Sequence, residues 1–138
     1  MPTLELPDDV HLSILEHARE RVPEEVVGVL SGSRRDDISR VRSVHRAENA
    51  ADAPRSRYEI EPAAELAMLE RIDRDGEDVV GFYHSHPRGP LEPSDIDVER
   101  AAWPGHSYVI VVPPDDLASW RWTGERFCRE RLRTIESP

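Results

Sequence analysis

Lysine is absent from this chain. All 18 of its strongly basic side chains are arginine, set against 28 carboxylates for a net charge of −10. Gripping nucleic acid requires a basic footprint that displaces counterions from phosphates, so nucleic acid is excluded as a partner class. Cysteine is nearly absent too. The single Cys128 permits neither an intrachain disulfide nor a cysteine-based zinc cluster, and is expected to be a small buried or half-buried strand residue. There is no run of about 18 apolar residues, no secretory segment and no lipidation motif, so a soluble cytoplasmic protein without a membrane partner is expected. At 138 residues the chain reads as one domain, residues 1–138, with room for a core and little beyond it. Molar salt screens the self-repulsion of such an acidic surface, and loss of lysine in favour of arginine and acid is the compositional habit of halophilic archaea. A GC-rich genome would by itself produce part of the lysine loss.

The hydrophobic pattern divides the chain into short alternating elements. Thr3–Leu6 alternates as a first strand. Pro7-Asp8-Asp9 opens a helix whose stripe is Val10, Ile14, Leu15, Ala18 and Val22, stopped by Pro23. Val26–Leu30 and Ile38–Val44 read as paired strands around Ser31-Gly32-Ser33, and Asn49–Arg57 as a polar, proline-interrupted loop expected to be mobile. Tyr58-Glu59-Ile60 is expected as a short strand. Pro62 then starts a helix that turns Ala63, Leu66, Leu69 and Ile72 inward, with Ala67 and Met68 alongside, and ends near Gly76. Val79–His86 is a strand, Pro87–Pro93 a loop, Asp95–Ala102 a short helix and Ser107–Val112 a strongly apolar strand. Ser119–Trp122 and Arg126–Leu132 form a closing hairpin around Thr123-Gly124-Glu125. Strands mixed with helices in this order predict an α/β fold, a mixed sheet with helices packed on its faces.

The chemistry concentrates in His84-Ser85-His86-Pro87, followed by Ser94 and Asp97. Residues i and i+2 of a strand point to one face, so His84 and His86 can reach a single ion. Asp97, eleven residues on, supplies a third N/O ligand. Three such ligands leave a fourth zinc position for water, the arrangement of a hydrolytic rather than a structural site. Each fragment alone has a plainer explanation. Two histidines on a strand can be ordinary surface residues, and Ser94 with Asp97 three residues later resembles a helix capping box. Together they fit one metal centre, with the Pro87–Pro93 loop bringing Asp97 back to face the histidines. The remaining histidines, His11, His17, His45 and His106, read as solvated, partly packed or turn residues. Trp103, Trp120 and Trp122 read as core or edge residues, Trp103 alternatively as a residue that shapes a substrate groove.

A zinc hydrolase also needs a general base. Pro23-Glu24-Glu25-Val26-Val27-Gly28-Val29-Leu30, then His84-Ser85-His86-Pro87, seven residues between His86 and Ser94, and Asp97 at its place resemble the JAMM (MPN+) metalloproteases. The resemblance spans nearly the whole chain with no departure at a motif position, and it adds a cytidine-deaminase-like α/β/α layering to the expected fold. It implies one Zn²⁺ per chain, held by His84, His86 and Asp97 with a water completing the tetrahedron. Glu25 would take that water's proton and return it to the leaving amine. Ser94 would stabilise the oxyanion, a role worth about 2.7–4 kcal/mol in other hydrolases. Glu24 is the rival base, but adjacent strand residues face opposite sides and the motif spacing selects Glu25. By the same alternation Ser85 faces away from the metal.

For function, the resemblance implies removal of ubiquitin-like modifier proteins, in an archaeal cell the small archaeal modifiers, from lysine conjugates or linear fusions by hydrolysis after their C-terminal Gly-Gly. The tail would lie as an added strand beside the site. A second enzyme reading keeps the chemistry and processes the C-terminus of a ubiquitin-fold sulfur carrier. A non-catalytic scaffold of the wider MPN group is disfavoured, because all five motif positions are filled. Cytidine deaminase is disfavoured because its His-x-Glu and Cys-x-x-Cys are missing.

Overall fold

The computed structural model describes all 138 residues. In chain order the elements are β1 (Thr3–Pro7), α1 (Asp8–Arg21), β2 (Val27–Ser33), β3 (Ile38–Ala47), α2 (Pro62–Arg74), β4 (Asp78–Ser85), α3 (Asp95–Arg100), β5 (Ser107–Val112), β6 (Asp116–Trp122) and β7 (Phe127–Ile135). The expected mixed α/β sheet is present. Neighbours run β1-β3-β2-β4-β5-β6-β7, and β7 pairs back onto β1, so the sheet closes on itself. β1 runs parallel to both β3 and β7, β4 runs parallel to β5, and the other pairs are antiparallel.

Helices cover both faces because the strands alternate two apolar sets. On one side Leu4, Leu6, Leu30, Val41, Tyr83 and Val111 form the larger core with Val10, Ile14 and Ala18 of α1. Those helix residues recur every four positions, and Asp8 and Asp9 complement the helix N-terminus as Arg19 and Arg21 complement its C-terminus. On the other side Val29, Phe82, Tyr108 and Trp122 meet Ile72 of α2, with Met68 packed alongside. Gly28 lies opposite Tyr83 in the β2–β4 ladder, and a Cβ there would run into the Tyr83 ring. A methyl forced into so tight a contact costs about 1–3 kcal/mol.

Several local expectations differ from the fold. Leu66 is 57% exposed and Ala63 is exposed, because α2 presents only its Met68–Ile72 side to the sheet. Tyr58-Glu59-Ile60 pairs with no strand. The Glu59 N–H donates to the Asn49 side chain and the Glu59 carbonyl accepts from Ala50 N–H, so local bonds take the place of a ladder. Cys128 is exposed on β7, which continues past Leu132 to Ile135 to close on β1. His17, read as solvated or partly packed, is buried, and its Nδ1 shares a 2.7 Å hydrogen bond with the Tyr83 hydroxyl.

Burial, reinforced by Arg46, lowers the His17 pKa from 6.5 to about 4. Between those values the unfolded chain binds a proton that the folded chain does not. The stability tied to His17 is therefore complete above about pH 6.5 and is lost as pH falls toward about 4. His17→Gln keeps a hydrogen-bonding group and removes the titration. Lowering pH from 7 to 5 is expected to cost wild type about 1–2 kcal/mol more than this variant, read from thermal unfolding at both pH values. Parallel losses in the two proteins would contradict it.

Candidate metal and hydrolytic site

The site is assembled by the register of two antiparallel strands. Val27 on β2 stands opposite His84 on β4, with Val29 opposite Phe82 on the same face. Continuing that register two residues outward places Glu25 across from His86. Glu25 lies in the extended lead-in just before β2 rather than on the strand itself. The three ligand atoms offered by Glu25, His84 and His86 lie within 4.8 Å of one another, and all three residues are buried. Glu24, one residue earlier, is half-exposed and pairs loosely with Arg21 at 4.0 Å. Ser85 points to the opposite face, where its hydroxyl accepts from Val26 N–H at 2.8 Å while its own N–H donates to the Val26 carbonyl at 3.1 Å. These two bonds lock the lead-in carrying Glu25 to the strand carrying the histidines.

The loop after Pro87 returns the chain so that α3 begins at the histidines. Ser94 caps α3: its hydroxyl oxygen accepts from Asp97 N–H at 3.1 Å, and Asp97 Oδ2 accepts from Ser94 N–H at 2.9 Å. The capping box and the metal-centre reading are thus the same residues. Asp97 Oδ2 also lies 3.0 Å from His84 Nε2 and 3.0 Å from His86 Nε2, with the two Nε2 atoms 3.1 Å apart. All five motif residues converge, since Ser94 lines the cleft that Glu25 and His86 also line. With its oxygen engaged as an acceptor, the Ser94 hydroxyl keeps its proton free to donate into that cleft.

The donor set suits a divalent cation. His86 Nδ1 lies 2.8 Å from the Pro90 carbonyl, which can only accept, so Nδ1 carries a proton and Nε2 is the nitrogen turned to Asp97 and His84. With the ring neutral, Nε2 presents a lone pair toward a carboxylate oxygen and a second imidazole nitrogen, and a cation bound between the three would satisfy them all. Two imidazoles, a carboxylate and a polar cleft beside them are the kind of donor set that an open, hydrolytic metal site uses.

Two residues outside the motif shape the centre. Nδ1 of His84 is buried without a hydrogen-bond partner, and the His84 ring is stacked on Tyr58 instead, centroids 4.5 Å apart at 27°. The Tyr58 carbonyl accepts from Arg100, on the same short helix as Asp97. Asn49, the only asparagine in the chain, donates from Nδ2 to the Glu25 carbonyl at 2.9 Å and to the Arg57 carbonyl at 3.0 Å. Glu25 N–H donates in turn to the Pro54 carbonyl at 2.7 Å. The polar 49–57 loop is therefore fastened to the backbone of Glu25 on both sides. A lone asparagine before a proline-broken loop was the signal available in the sequence; the tyrosine carried none.

Charge inside the site is strongly perturbed. Burial raises the Glu25 carboxyl to about 7, with His86 drawing it down and Asp97 pushing it up. Burial also opposes charge on Asp97, but contacts from His84 and His86 and the Ser94 N–H outweigh it and hold that carboxyl well below the usual range. Burial lowers His84, whereas on His86 the Asp97 carboxylate and the Pro90 carbonyl prevail over burial and raise the ring. Titratable groups pushed apart in one cleft are a mark of a reactive site.

These features define a JAB-domain hydrolase scaffold. The model of the prokaryotic homologs of the JAB domain matches residues 7–123, and the chain belongs to that family; the JAMM resemblance read from the motif is borne out. The desampylase of Haloferax volcanii is 44% identical over 96% of each chain, and its halophilic source accords with the lysine-free composition. A probable TtuB-protein conjugate cleaving protease of Thermus thermophilus is 34% identical over 63% of this chain and 55% of its own. The CysO-cysteine peptidase of Mycobacterium tuberculosis is 29% identical over 93% of this chain and 88% of its own. Among solved structures, a protein of Desulfitobacterium hafniense superposes with TM-score 0.85 at 27% identity, covering 96% of this chain and 93% of that one. A protein of Salinibacter ruber, 34% identical and covering 100% and 95%, gives 0.71. No helix here is long and apolar enough to cross a membrane.

The Ser85–Val26 lock is open to direct test. Ser85→Ala leaves the buried Val26 N–H without its partner and is expected to cost about 1–3 kcal/mol in urea unfolding. Amide hydrogen exchange at Val26 should accelerate in parallel. Unchanged exchange there would show that the lead-in is held by other contacts.

Proposed function

We propose that this chain is a zinc-dependent peptidase and isopeptidase. Its reaction is the removal of ubiquitin-like modifier proteins from lysine conjugates or linear fusions, by hydrolysis after the C-terminal Gly-Gly of the modifier. The observation that carries the reading is the register that brings the Glu25 carboxylate within 4.8 Å of the ligand atoms of both His84 and His86. Ligands alone make a metal site; a buried carboxylate beside them adds a proton carrier and makes a hydrolase. The 44% identity to a desampylase, along nearly the whole length of both proteins, supports the choice of substrate.

His84, His86 and Asp97 would hold the Zn²⁺. Bound there, zinc supplies a Lewis acid that polarises a carbonyl and lowers the pKa of water from about 15.7 to about 7 in comparable sites. Glu25 accepts the proton of the attacking water as the new C–O bond forms and delivers it to the amine as the C–N bond breaks. The Ser94 hydroxyl donates to the carbonyl oxygen as negative charge develops on it. Asn49 and Pro54 hold the Glu25 backbone so that the carboxylate stays aimed during both transfers. Tyr58 fixes the plane of His84, the histidine whose second nitrogen has no partner to orient it.

A second substrate keeps the same residues. The likeness to CysO-cysteine peptidase, 29% identical over 93% of this chain, supports trimming of a ubiquitin-fold sulfur carrier. Closure of the sheet bears on how a tail would bind. β2, β4 and β5, the strands beside the site, each have a neighbour on both sides, so an extended tail lies along loops rather than on one of their edges.

Two measurements test the reading. Glu25→Gln is expected to retain about one zinc per chain by metal analysis and to lose about 10²–10⁴-fold in turnover of a modifier-Gly-Gly fusion. A variant that still cleaves at the wild-type rate, or wild type that cleaves without zinc, would refute the mechanism. Tyr58→Ala is expected to weaken zinc about tenfold in chelator competition while Tyr58→Phe retains it, within the range known for residues that orient metal ligands. Equal affinities in the two variants would remove Tyr58 from the centre.

A further inference from the structure

The cleft beside the hydrolytic residues reverses the charge of the molecule around it. The chain carries ten more acids than strong bases, yet the cleft walls present Arg55 and Arg88 with Glu25 as their one carboxylate. Both arginines are exposed, and neither has a carboxylate within 4.0 Å; the eight ion pairs of the molecule engage other residues. In a chain where most charge is negative, two arginines that line one cleft without a carboxylate partner are candidate anion receptors.

Both are also fastened to the reactive groups. Arg55 directly follows Pro54, whose carbonyl accepts the N–H of Glu25 at 2.7 Å. Arg88 sits in the turn after His86, closed by Gly89 N–H donating to the His86 carbonyl at 2.9 Å. The two walls are thereby referenced to the base on one side and to a metal ligand on the other. A second groove differs in kind: Tyr58, whose ring stacks on His84, lines it with Phe82, Trp103 and Tyr108, beside Glu59, Glu65 and Arg100.

Glu25 fixes which part of a substrate enters which cavity. The proton it carries goes to the amine that departs, so the leaving side of the scissile bond lies in a cleft that Glu25 lines; of the two clefts it lines, only the one shared with His86 and Ser94 also borders the other reactive groups. We propose that Arg55 and Arg88 form a carboxylate-binding subsite on the leaving-group side. They would select substrates in which a carboxylate stands close to the released amine. This rests on the peptidase reading above and deepens it. The shared chemistry has two sources: the free α-carboxylate of a single residue following Gly-Gly, or an Asp or Glu side chain flanking a modified lysine. Planar guanidiniums take a carboxylate in a two-point contact, which is short-ranged and persists in salt that screens long-range attraction.

The test uses the full-length, zinc-loaded chain and a modifier ending in Gly-Gly. In one arm it carries one extra residue, as the free acid or as the amide. In the other it is isopeptide-linked to a lysine peptide flanked by Glu or by Gln. Wild type is expected to favour the carboxylate member about tenfold or more in kcat/KM in at least one arm, expressed chiefly in KM. The arm that responds identifies the source of the carboxylate. In R55Q/R88Q the ratio should fall to about 1, and in R55E/R88E it should fall below 1, in favour of the amide or Gln-flanked member. A wild-type ratio near 1 in both arms, or a ratio unchanged in the variants, overturns the subsite while leaving the peptidase reading intact. Failure to cleave any member overturns the peptidase reading itself. Equilibrium binding of the same pairs to the zinc-loaded Glu25→Gln chain then still decides the subsite: equal affinities reject it, and tighter binding of the carboxylate member supports it.

Discussion

The pairing of β2 with β4 is the constraint on which the rest of the site depends. Strand side chains alternate with period two, so a slip of one residue would turn Glu25 away from His84 and His86. The ladder that sets Val27 opposite His84 is secured on its other face by the Ser85 hydroxyl and the Val26 N–H, in a position closed to solvent. Below that lock, Gly28 leaves the space that the Tyr83 ring occupies, and Tyr83 in turn anchors His17 of α1. The short sequence from Glu25 to Gly28 therefore carries a buried carboxyl, a backbone clamp and a packing vacancy.

Around this ladder the site is tightened by residues with no chemistry of their own. Asn49 ties the Glu25 carbonyl to the loop that follows β3, and Tyr58 at the end of that loop stacks on His84. Arg100 connects the Tyr58 backbone to the helix of Asp97. The capping box of α3 uses the same Asp97 oxygen that faces both imidazoles, so forming the helix start and aiming the third ligand are one event. Orientation of this kind lets a small domain hold a metal centre without large supporting segments.

The legible part of the fold was local. Strand and helix positions followed from alternation, four-residue spacing and proline stops, and His84, His86, Ser94 and Asp97 stood at spacings that only a few local geometries satisfy. Motif spacing and strand alternation together select Glu25 over Glu24, and in the fold Glu25 is buried whereas Glu24 is half-exposed. What misled was the assumption that apolar residues on a helix all turn inward. Leu66 stays in solvent because α2 presents only its Met68–Ile72 side to the sheet. The short run at Tyr58 had strand-like composition, yet bonds from Asn49 and Ala50 made it a loop, which is how its ring came to face the metal centre.

The sequence by itself determined the chemistry: the ligand types, their spacing, the carboxylate that can serve as base, and a surface from which lysine and paired cysteine are absent. Those are properties of residue identity and of one or two turns of chain. Only the tertiary structure decided which strands neighbour one another, that β7 returns to β1 and closes the sheet, and that two arginines, 33 positions apart in the chain, line one cleft together with Glu25. Such contacts join residues tens of positions apart. They are set by register and packing across the sheet, and no local pattern in the chain records them.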